Sequence, residues 1–361
     1  MENSFFVYGT GLTARHVYEL ITDKEQSKSI IFLNRTLDQY NVISDCGECW
    51  LYTDSRITDE LKKNSTVIVA IMNTQGNIRG VMENLKKEGF KKIIPYAQLA
   101  DIFPNKFQFL YLEDANKFRE RLPQIEEAKS ILISTGADHR SISVFDDMVR
   151  FRETKDYNDL PELDKKDDQY FPRDILKYRT ENISFVDCGA YIGDTFKAMI
   201  KYAEDTNTFI ACYTGFEPDK KNFEKLKQEI ENRNSIDSTI YPYAVCETRK
   251  KLFFDMRGST ASKVESENNY GDVIEGVPID EIEFSVIPTH IKMDIEGEEL
   301  NALLGAEKTI RDFRPKLAIC IYHKPEHIYS IIKLVYGWKL GYKFEIRVYE
   351  DAGVDLVLYA V

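Results

Sequence analysis

Four short stretches in the second half of the chain combine residue types that bind ligands or react. The first is Phe185-Val186-Asp187-Cys188-Gly189-Ala190-Tyr191-Ile192-Gly193-Asp194-Thr195, set between an apolar run and a helical pattern. Glycines there let the backbone turn tightly and approach a ligand with no Cβ in the way. Asp187 closes the apolar run, at the strand end where α/β sheets bind ligands. Further on, Gly215-Phe216-Glu217-Pro218-Asp219 ends a second run, and the Glu217 carboxylate can accept both hydroxyls of a ribose. Either stretch alone reads as a glycine turn with a capping aspartate. Together and in this order they read as a nucleoside-ligand site.

The third stretch is His290-Ile291-Lys292-Met293-Asp294-Ile295-Glu296-Gly297-Glu298-Glu299. Asp294 and Glu296 are two apart, so in an extended chain they point the same way. Glu298 and Glu299 suit an acidic helix start, which the helix dipole favours. Asp294 is not explained that way, because it closes an apolar strand. The fourth is Pro315-Lys316-Leu317-Ala318-Ile319-Cys320-Ile321-Tyr322-His323-Lys324-Pro325-Glu326-His327. His323 lies just past a core strand, on the same sheet edge as Asp187, Glu217 and Asp294. Its unperturbed pKa is near neutral, which suits a general base. His323 and His327 have the spacing of a helical metal pair. Pro325 between them argues against one regular helix, and no metal is expected.

In combination, Asp187-Cys188-Gly189-Ala190-x-x-Gly193-Asp194-Thr195, Glu217-Pro218, Met293-Asp294-Ile295-Glu296-Gly297-x-Glu299 and Tyr322-His323 resemble the FkbM family of class I S-adenosylmethionine-dependent methyltransferases. The resemblance runs from about residue 170 to the end, including Val357-Leu358-Tyr359-Ala360. It implies transfer of a methyl group from S-adenosylmethionine to a hydroxyl of a sugar, glycan precursor or natural product. It also implies that Asp187, Gly189 and Gly193, with Ala190, Asp194 and Thr195 in the same loop, line the methionine side, and that Glu217 holds the ribose. Ala244, after the third strand, is the positional candidate for the adenine, and the polar loop Gly258-Ser259-Thr260-Ala261-Ser262 is a further candidate to reach cofactor or substrate. His323 is the favoured base, with Asp294 orienting the acceptor or the imidazole. A carboxylate, Asp294 or Glu296, is the alternative.

The elements that must position these groups follow from periodicity. Strand-like runs at Ile183–Cys188, Tyr213–Glu217, Thr239–Val245, Thr289–Asp294 and Leu317–Tyr322 alternate with helical patterns at Asp194–Tyr202, Lys220–Asn232 and Glu298–Phe313. Such alternation implies a parallel sheet with crossover helices. Lys343–Tyr349 and Val354–Val361, joined by Glu350-Asp351-Ala352-Gly353, read as an antiparallel hairpin. The expected fold is α/β with two Rossmann-like domains, the C-terminal one a class I methyltransferase fold with a mostly parallel sheet and a terminal antiparallel hairpin.

The first hundred residues repeat the alternation on their own. Strands are expected at Phe5–Tyr8, Ser29–Leu33, Thr66–Met72 and Lys92–Pro95, with helices at Thr13–Ile21 and Ile78–Glu88. Tyr8-Gly9-Thr10-Gly11-Leu12-Thr13-Ala14 is a G-x-G-x-x-A turn. Dinucleotide sites usually add an acid at the end of the second strand, but that position is Asn34, followed by Arg35. A structural or substrate-recruiting role is therefore expected for this domain. An oxidoreductase or sugar-nucleotide epimerase working from it is the alternative, and a non-catalytic S-adenosylmethionine sensor is a third reading. The expected boundaries are 1–105 for the N-terminal domain, 106–172 for a mostly helical connector and 173–361 for the methyltransferase domain.

Composition limits the partners. The chain has 361 residues, 43% hydrophobic and 30% charged, which suits a folded protein of more than one domain. Its formal charge of −12 disfavours nucleic acid and anionic membrane. No run approaches the roughly 20 apolar residues of a membrane span, and no signal peptide is read at the N-terminus. A cytoplasmic protein with a small-molecule or carbohydrate acceptor is expected. Six cysteines in this length do not make a disulfide framework. Cys46-Gly47-Glu48-Cys49 lacks the second pair zinc would need and reads as two thiols in a turn.

Overall fold

A computed structural model of the chain describes residues 5–22, 30–35, 45–72, 78–176, 182–233, 235–255, 263–265 and 272–361. The polar loop at 258–262 lies outside them. The chain divides into two compact units. One comprises Met1–Arg121, Asp146–Pro161 and Glu350–Val354; the other comprises Leu122–Phe145, Glu162–Tyr349 and Asp355–Val361. Residues 106–172, expected as a connector, contribute to both.

The first unit contains five strands, β1 (Phe5–Tyr8), β2 (Ile30–Asn34), β3 (Glu48–Leu51), β4 (Thr66–Val69) and β5 (Lys92–Pro95). They form one parallel sheet in the order β3-β2-β1-β4-β5. One more strand is present than the periodicity predicts. Glu48–Leu51 is short, polar at its start and at the sheet edge, so no apolar run betrays it. Cys49 therefore lies in a strand rather than a turn, and all six cysteines are free thiols. Helices Leu12–Thr22 and Ile78–Lys87 bury Val17, Leu20, Val81 and Leu85, the one-sided burial of crossover helices.

In the second unit, β6 (Ile183–Cys188) is buried at every position. A strand covered on both faces reads as a continuous apolar run, which is why it was legible. β7 (Ile210–Phe216) and β8 (Ser238–Tyr241) extend the sheet on one side of β6. After β9 (Tyr243–Val245), β10 (Lys250–Asp255), β11 (Lys263–Glu265) and β12 (Asp272–Val277), the chain returns to the sheet on the other side of β6. It does so with β13 (His290–Met293) and then β14 (Lys316–Cys320). β15 (Phe344–Val348) and β16 (Leu356–Ala360) close the edge as an antiparallel hairpin, with β16 inserted against β14. The resulting order is β15-β16-β14-β13-β6-β7-β8. The topology switches direction between β6 and β13, and open α/β sheets bind ligands at such a point, beyond the carboxyl ends of the strands.

Two expected elements divide. The run Thr239–Val245 is two strands in different sheets, β8 and β9, separated by Pro242. Proline has no N–H for the ladder, so the break is where a proline would put it. β9 pairs with β12 in a four-stranded sheet ordered β11-β10-β12-β9. The helical pattern Glu298–Phe313 is two helices, Glu299–Leu304 and Glu307–Phe313. They part at Gly305, where a Cβ would lie 2.1 Å from the Cys246 carbonyl oxygen.

The loop after β6 approaches the end of β13 so closely that only glycine fits. Gly189 has φ +83°, and a Cβ there would lie 2.0 Å from the Asp294 carbonyl oxygen. Backbone bonds fix the same loop from the other side: Gly189 and Ala190 N–H both donate to the Phe216 carbonyl, at 3.0 and 2.9 Å. Gly189→Ala is expected to destabilise the protein by at least the ~1–3 kcal/mol typical of overpacking. The check is the thermal midpoint, and an unchanged value would mean that the loop does not sit against β13.

Candidate functional site

The site begins with a charge in the middle of the sheet. Lys292, on β13 and 2% exposed, extends toward the end of β6. Its Nζ is 3.0 Å from Asp187 Oδ1 and donates to the Gly189 carbonyl at 2.6 Å. Tyr213 on β7 donates its hydroxyl to the other Asp187 oxygen at 2.8 Å. Burial disfavours charge on both partners of the pair. For Lys292, the carboxylates of Asp187, Asp294 and Asp194 outweigh burial and hold the ammonium above its usual range. Burial pushes the Asp187 carboxyl up against the pull of Lys292. The short separation and the Tyr213 bond suit the ion pair, with both groups charged. Asp187 is thus engaged by Lys292 and Tyr213, and Lys292 links it to the glycine loop.

Glu217 follows β7 and reaches the glycine loop. Its two oxygens accept the backbone N–H groups of Tyr191, at 2.8 Å, and Asp219, at 2.9 Å. Burial pushes its carboxyl up to about 7, against the downward pull of these two bonds. A carboxylate has about four acceptor positions, so two N–H bonds leave it with capacity for further donors. Tyr191, at φ +47°, and Gly193, at φ +87°, complete the turn. Gly193 caps the helix Asp194–Thr206, on which Asp194 is exposed and Thr195 is buried. Ala190 is fully buried. Ala244 lies on β9, where its side chain packs with Ile274 and Leu252.

The carboxyl end of β13 carries the acidic half. Asp294 Oδ2 accepts the Tyr170 hydroxyl at 2.7 Å, and Oδ1 accepts that of Tyr322 at 3.5 Å. His323, just past β14, brings its Nε2 to 3.4 Å from Asp294 Oδ1 and 3.8 Å from Glu296 Oε2. Behind the ring, Nδ1 is 2.8 Å from Glu299 Oε1. The second oxygen of Glu299 is 3.2 Å from Nδ1 of His327, which opens the helix His327–Gly337. The two histidines therefore share a carboxylate rather than one helical face, and Pro325 does interrupt the chain between them. Burial would lower the pKa of His323, but Glu299 first, then Asp294 and Glu296, raise it to about 9. Glu299 is held well below the usual carboxylate range by the same two imidazoles, which overcome its burial.

Two groups of candidates thus form, Glu217 with the glycine loop and Asp294 with Glu296 and His323, while Ala244 packs in the separate four-stranded sheet. Sequence reasoning missed the groups that hold them: Lys292, Tyr213, Tyr170, Tyr322 and Glu299. Lys292 had a signal, a lone lysine inside an apolar strand. Glu299 was read as a helix-start charge, although its side chain is fully buried.

In the N-terminal unit, the turn after β1 is held within its own sheet. Gly9 has φ +125°, and a Cβ there would lie 2.7 Å from the Ala70 carbonyl oxygen. Asn34 donates to the Thr10 hydroxyl at 3.3 Å. Among the described residues, no helix is long and apolar enough to cross a membrane.

Removing one partner of a buried ion pair leaves an uncompensated charge, which typically costs about 3–5 kcal/mol. Lys292→Met is expected to lose stability on that scale in chemical denaturation. The double variant Asp187→Asn/Lys292→Met should recover part of the loss. A single variant as stable as the parent would remove the pair from its structural role.

Comparison with known proteins agrees with this geometry. The crystal structure of methyltransferase FkbM from Methylobacillus flagellatus KT superposes with a TM-score of 0.79 at 19% identity, covering 99% of this chain and 90% of that one. At that identity the likeness establishes the fold. No curated protein sequence matches the chain significantly. Residues 187–344 match the family described as Methyltransferase FkbM domain. The match begins at Asp187, and it takes in the glycine loop, Glu217, Lys292 and the Asp294–His323 cluster, so residues 187–344 are the part of the chain that matches the FkbM methyltransferase domain.

Proposed function

We propose that the protein transfers a methyl group from S-adenosylmethionine to a hydroxyl of a sugar, glycan precursor or natural product. The observation that carries this reading is the pairing, at one sheet edge, of a ligand-ready half and an acid–base half. The first is Glu217 with the Cβ-free loop at Gly189 and Gly193; the second is Asp294, Glu296 and His323.

The residues present fit the donor. Glu217 is buried, raised in pKa and only partly satisfied, the state expected of a carboxylate that takes hydroxyl donors from a ribose. Gly189, Ala190, Gly193, Asp194 and Thr195 would hold the methionine side, and Ala244 the adenine. Asp187 and Lys292 would position that loop. When bound, S-adenosylmethionine supplies a methyl group already activated on a sulfonium, so alignment and deprotonation are what remain for the protein.

The acceptor hydroxyl must lose a proton as the new C–O bond forms. His323 is a poor recipient at neutral pH, because three carboxylates keep a proton on its ring. The proton therefore passes to a carboxylate. Glu296 and Asp294 are the two recipients at hand, with side chains 28% and 24% exposed. Asp294 would orient the acceptor by hydrogen bonding.

Three measurements test this reading on the full-length protein. Glu217→Ala should weaken S-adenosylhomocysteine binding by about 1.5–3 kcal/mol, the scale of hydrogen bonds to a charged group; an unchanged dissociation constant removes Glu217 from the ribose. The second is pH dependence. Hydroxyl donors favour ionised Glu217, so affinity should rise with pH through about 7 and level off above it. Glu217→Gln should flatten that profile, and a parent profile that is already flat counts against the contact. The third is single-turnover methyl transfer to a panel of sugar and natural-product hydroxyls. Glu296→Gln should slow it by about 10²–10⁴-fold, the range for a positioned base, with cofactor affinity within a few-fold. Near-parental turnover would pass the role to Asp294.

A further inference from the structure

We propose that the cluster at the ends of β13 and β14 is a binding site for a divalent cation of the Mg²⁺/Mn²⁺ class, coordinated by His323 Nε2, Asp294 and Glu296. The inference builds on the same site as the proposed methyl transfer, but rests on separate observations.

The first is convergence. One ligand-capable atom from each of Asp294, Glu299 and His323 lies within 4.8 Å of the others, and Glu296 joins this group through its approach to the imidazole rather than as one of the three. Around Nε2 itself the neighbours are Asp294 Oδ1 at 3.4 Å and Glu296 Oε2 at 3.8 Å. Ligands about 2.1 Å from one small cation in octahedral geometry are separated by roughly 3 Å. A modest inward movement of two partly exposed carboxylates would therefore complete the set.

The second observation concerns the imidazole. Its side chain is 2% exposed, and neither ring nitrogen has a partner of hydrogen-bond geometry; Nε2 lies 3.4 Å from Asp294 and 3.8 Å from Glu296, beyond a short hydrogen bond. Buried polar atoms are rarely left unsatisfied without a reason, and an absent ion is one such reason. The third is the arrangement behind the ring. A metal-bound histidine almost always gives its other ring N–H to a carboxylate, which fixes the tautomer and raises ligand basicity. Glu299 Oε1, 2.8 Å from Nδ1 and wholly buried, holds that position. Glu299 is itself fixed by the Ile295 N–H at 2.9 Å and by His327.

One imidazole among carboxylates favours a hard or borderline cation over a thiophilic one. The site faces the edge where the acceptor hydroxyl would be presented. A cation there would bind that oxygen and lower its pKa, as bound cations do for water. Coordination at Nε2 displaces its proton, so uptake should release protons to solvent.

The test uses chelator-treated full-length protein and Mn²⁺ alone, with neither methyl donor nor acceptor. Titration followed by electron paramagnetic resonance should show one bound equivalent, with ¹⁴N coupling from a directly coordinated imidazole. His323→Gln should abolish the ¹⁴N coupling. Asp294→Asn and Glu296→Gln should each weaken binding at least tenfold, and Glu299→Gln about 10–100-fold, the usual effect of losing a ligand's supporting partner. Asp167→Asn, on the exposed surface, should leave binding unchanged. Circular dichroism establishes that each variant is folded. Absence of Mn²⁺ binding, binding without ¹⁴N coupling, or binding indifferent to Asp294→Asn would overturn the proposal. S-adenosylhomocysteine binding, measured in parallel, separates the two readings: its loss with Mn²⁺ binding intact would sink the methyl-donor assignment alone, and the converse the cation site alone.

Discussion

Lys292 and Asp187 place two opposite charges inside the buried sheet, and the geometry of the loop after β6 depends on that pair. Removing charges from water is costly, and a buried pair is rarely retained for stability alone. Here the ammonium does a second thing: it grips the Gly189 carbonyl. One side chain thereby ties β13 to the loop that leaves β6, across the point where the sheet reverses its order. The contact is possible because Gly189 lacks a Cβ and can lie against the Asp294 backbone. The charge pair and the glycine are complementary parts of one constraint. The glycine permits the approach, and the lysine holds it.

A second buried charge centre lies on the other side of the same strand end. Glu299 stands between two imidazoles, and its Oε1 accepts the Ile295 N–H as well. Because Glu299 is fixed, the His323 ring is fixed, and its Nε2 is directed toward Asp294 and Glu296. Tyr170 and Tyr322 then orient Asp294 from opposite oxygens. Neighbours that fix a side chain in this way preorganise it, and in a reacting site an error of an ångström is expensive in rate. The two centres are joined through Asp294, whose charge contributes to holding the Lys292 ammonium and raises the His323 pKa.

The N-terminal unit has the strand order of a mononucleotide-binding half, β3-β2-β1-β4-β5, with a glycine turn after β1. Fold and turn alone do not make a site. Asn34 turns inward to Thr10 where a ribose-binding acid would be expected, and Gly9 is accounted for by its approach to Ala70. The turn after β1 is thus accounted for by contacts within its own sheet.

Much of this protein was legible in its order of residues. β6, β7, β13 and β14 are apolar runs because both faces of a parallel sheet are covered. Asp187, Glu217, Asp294 and His323 were visible as polar residues placed where those runs end. The terminal hairpin was legible from two strands joined by a short polar turn. Other features depended on contacts that no local pattern encodes. Glu48–Leu51 became a strand because β2 offered it an edge. Thr239–Val245 was divided at Pro242 because its two halves pair in different sheets. Glu298 and Glu299 are alike in sequence, yet one is partly exposed and the other buried between two histidines; only packing distinguishes them. The same holds for His323. Its residue type suggests a neutral-pH base, but the electrostatic character of a side chain belongs to its neighbours. Three carboxylates brought together from the turn after β13 and the helix that follows raise its pKa to about 9, against the lowering that burial would bring.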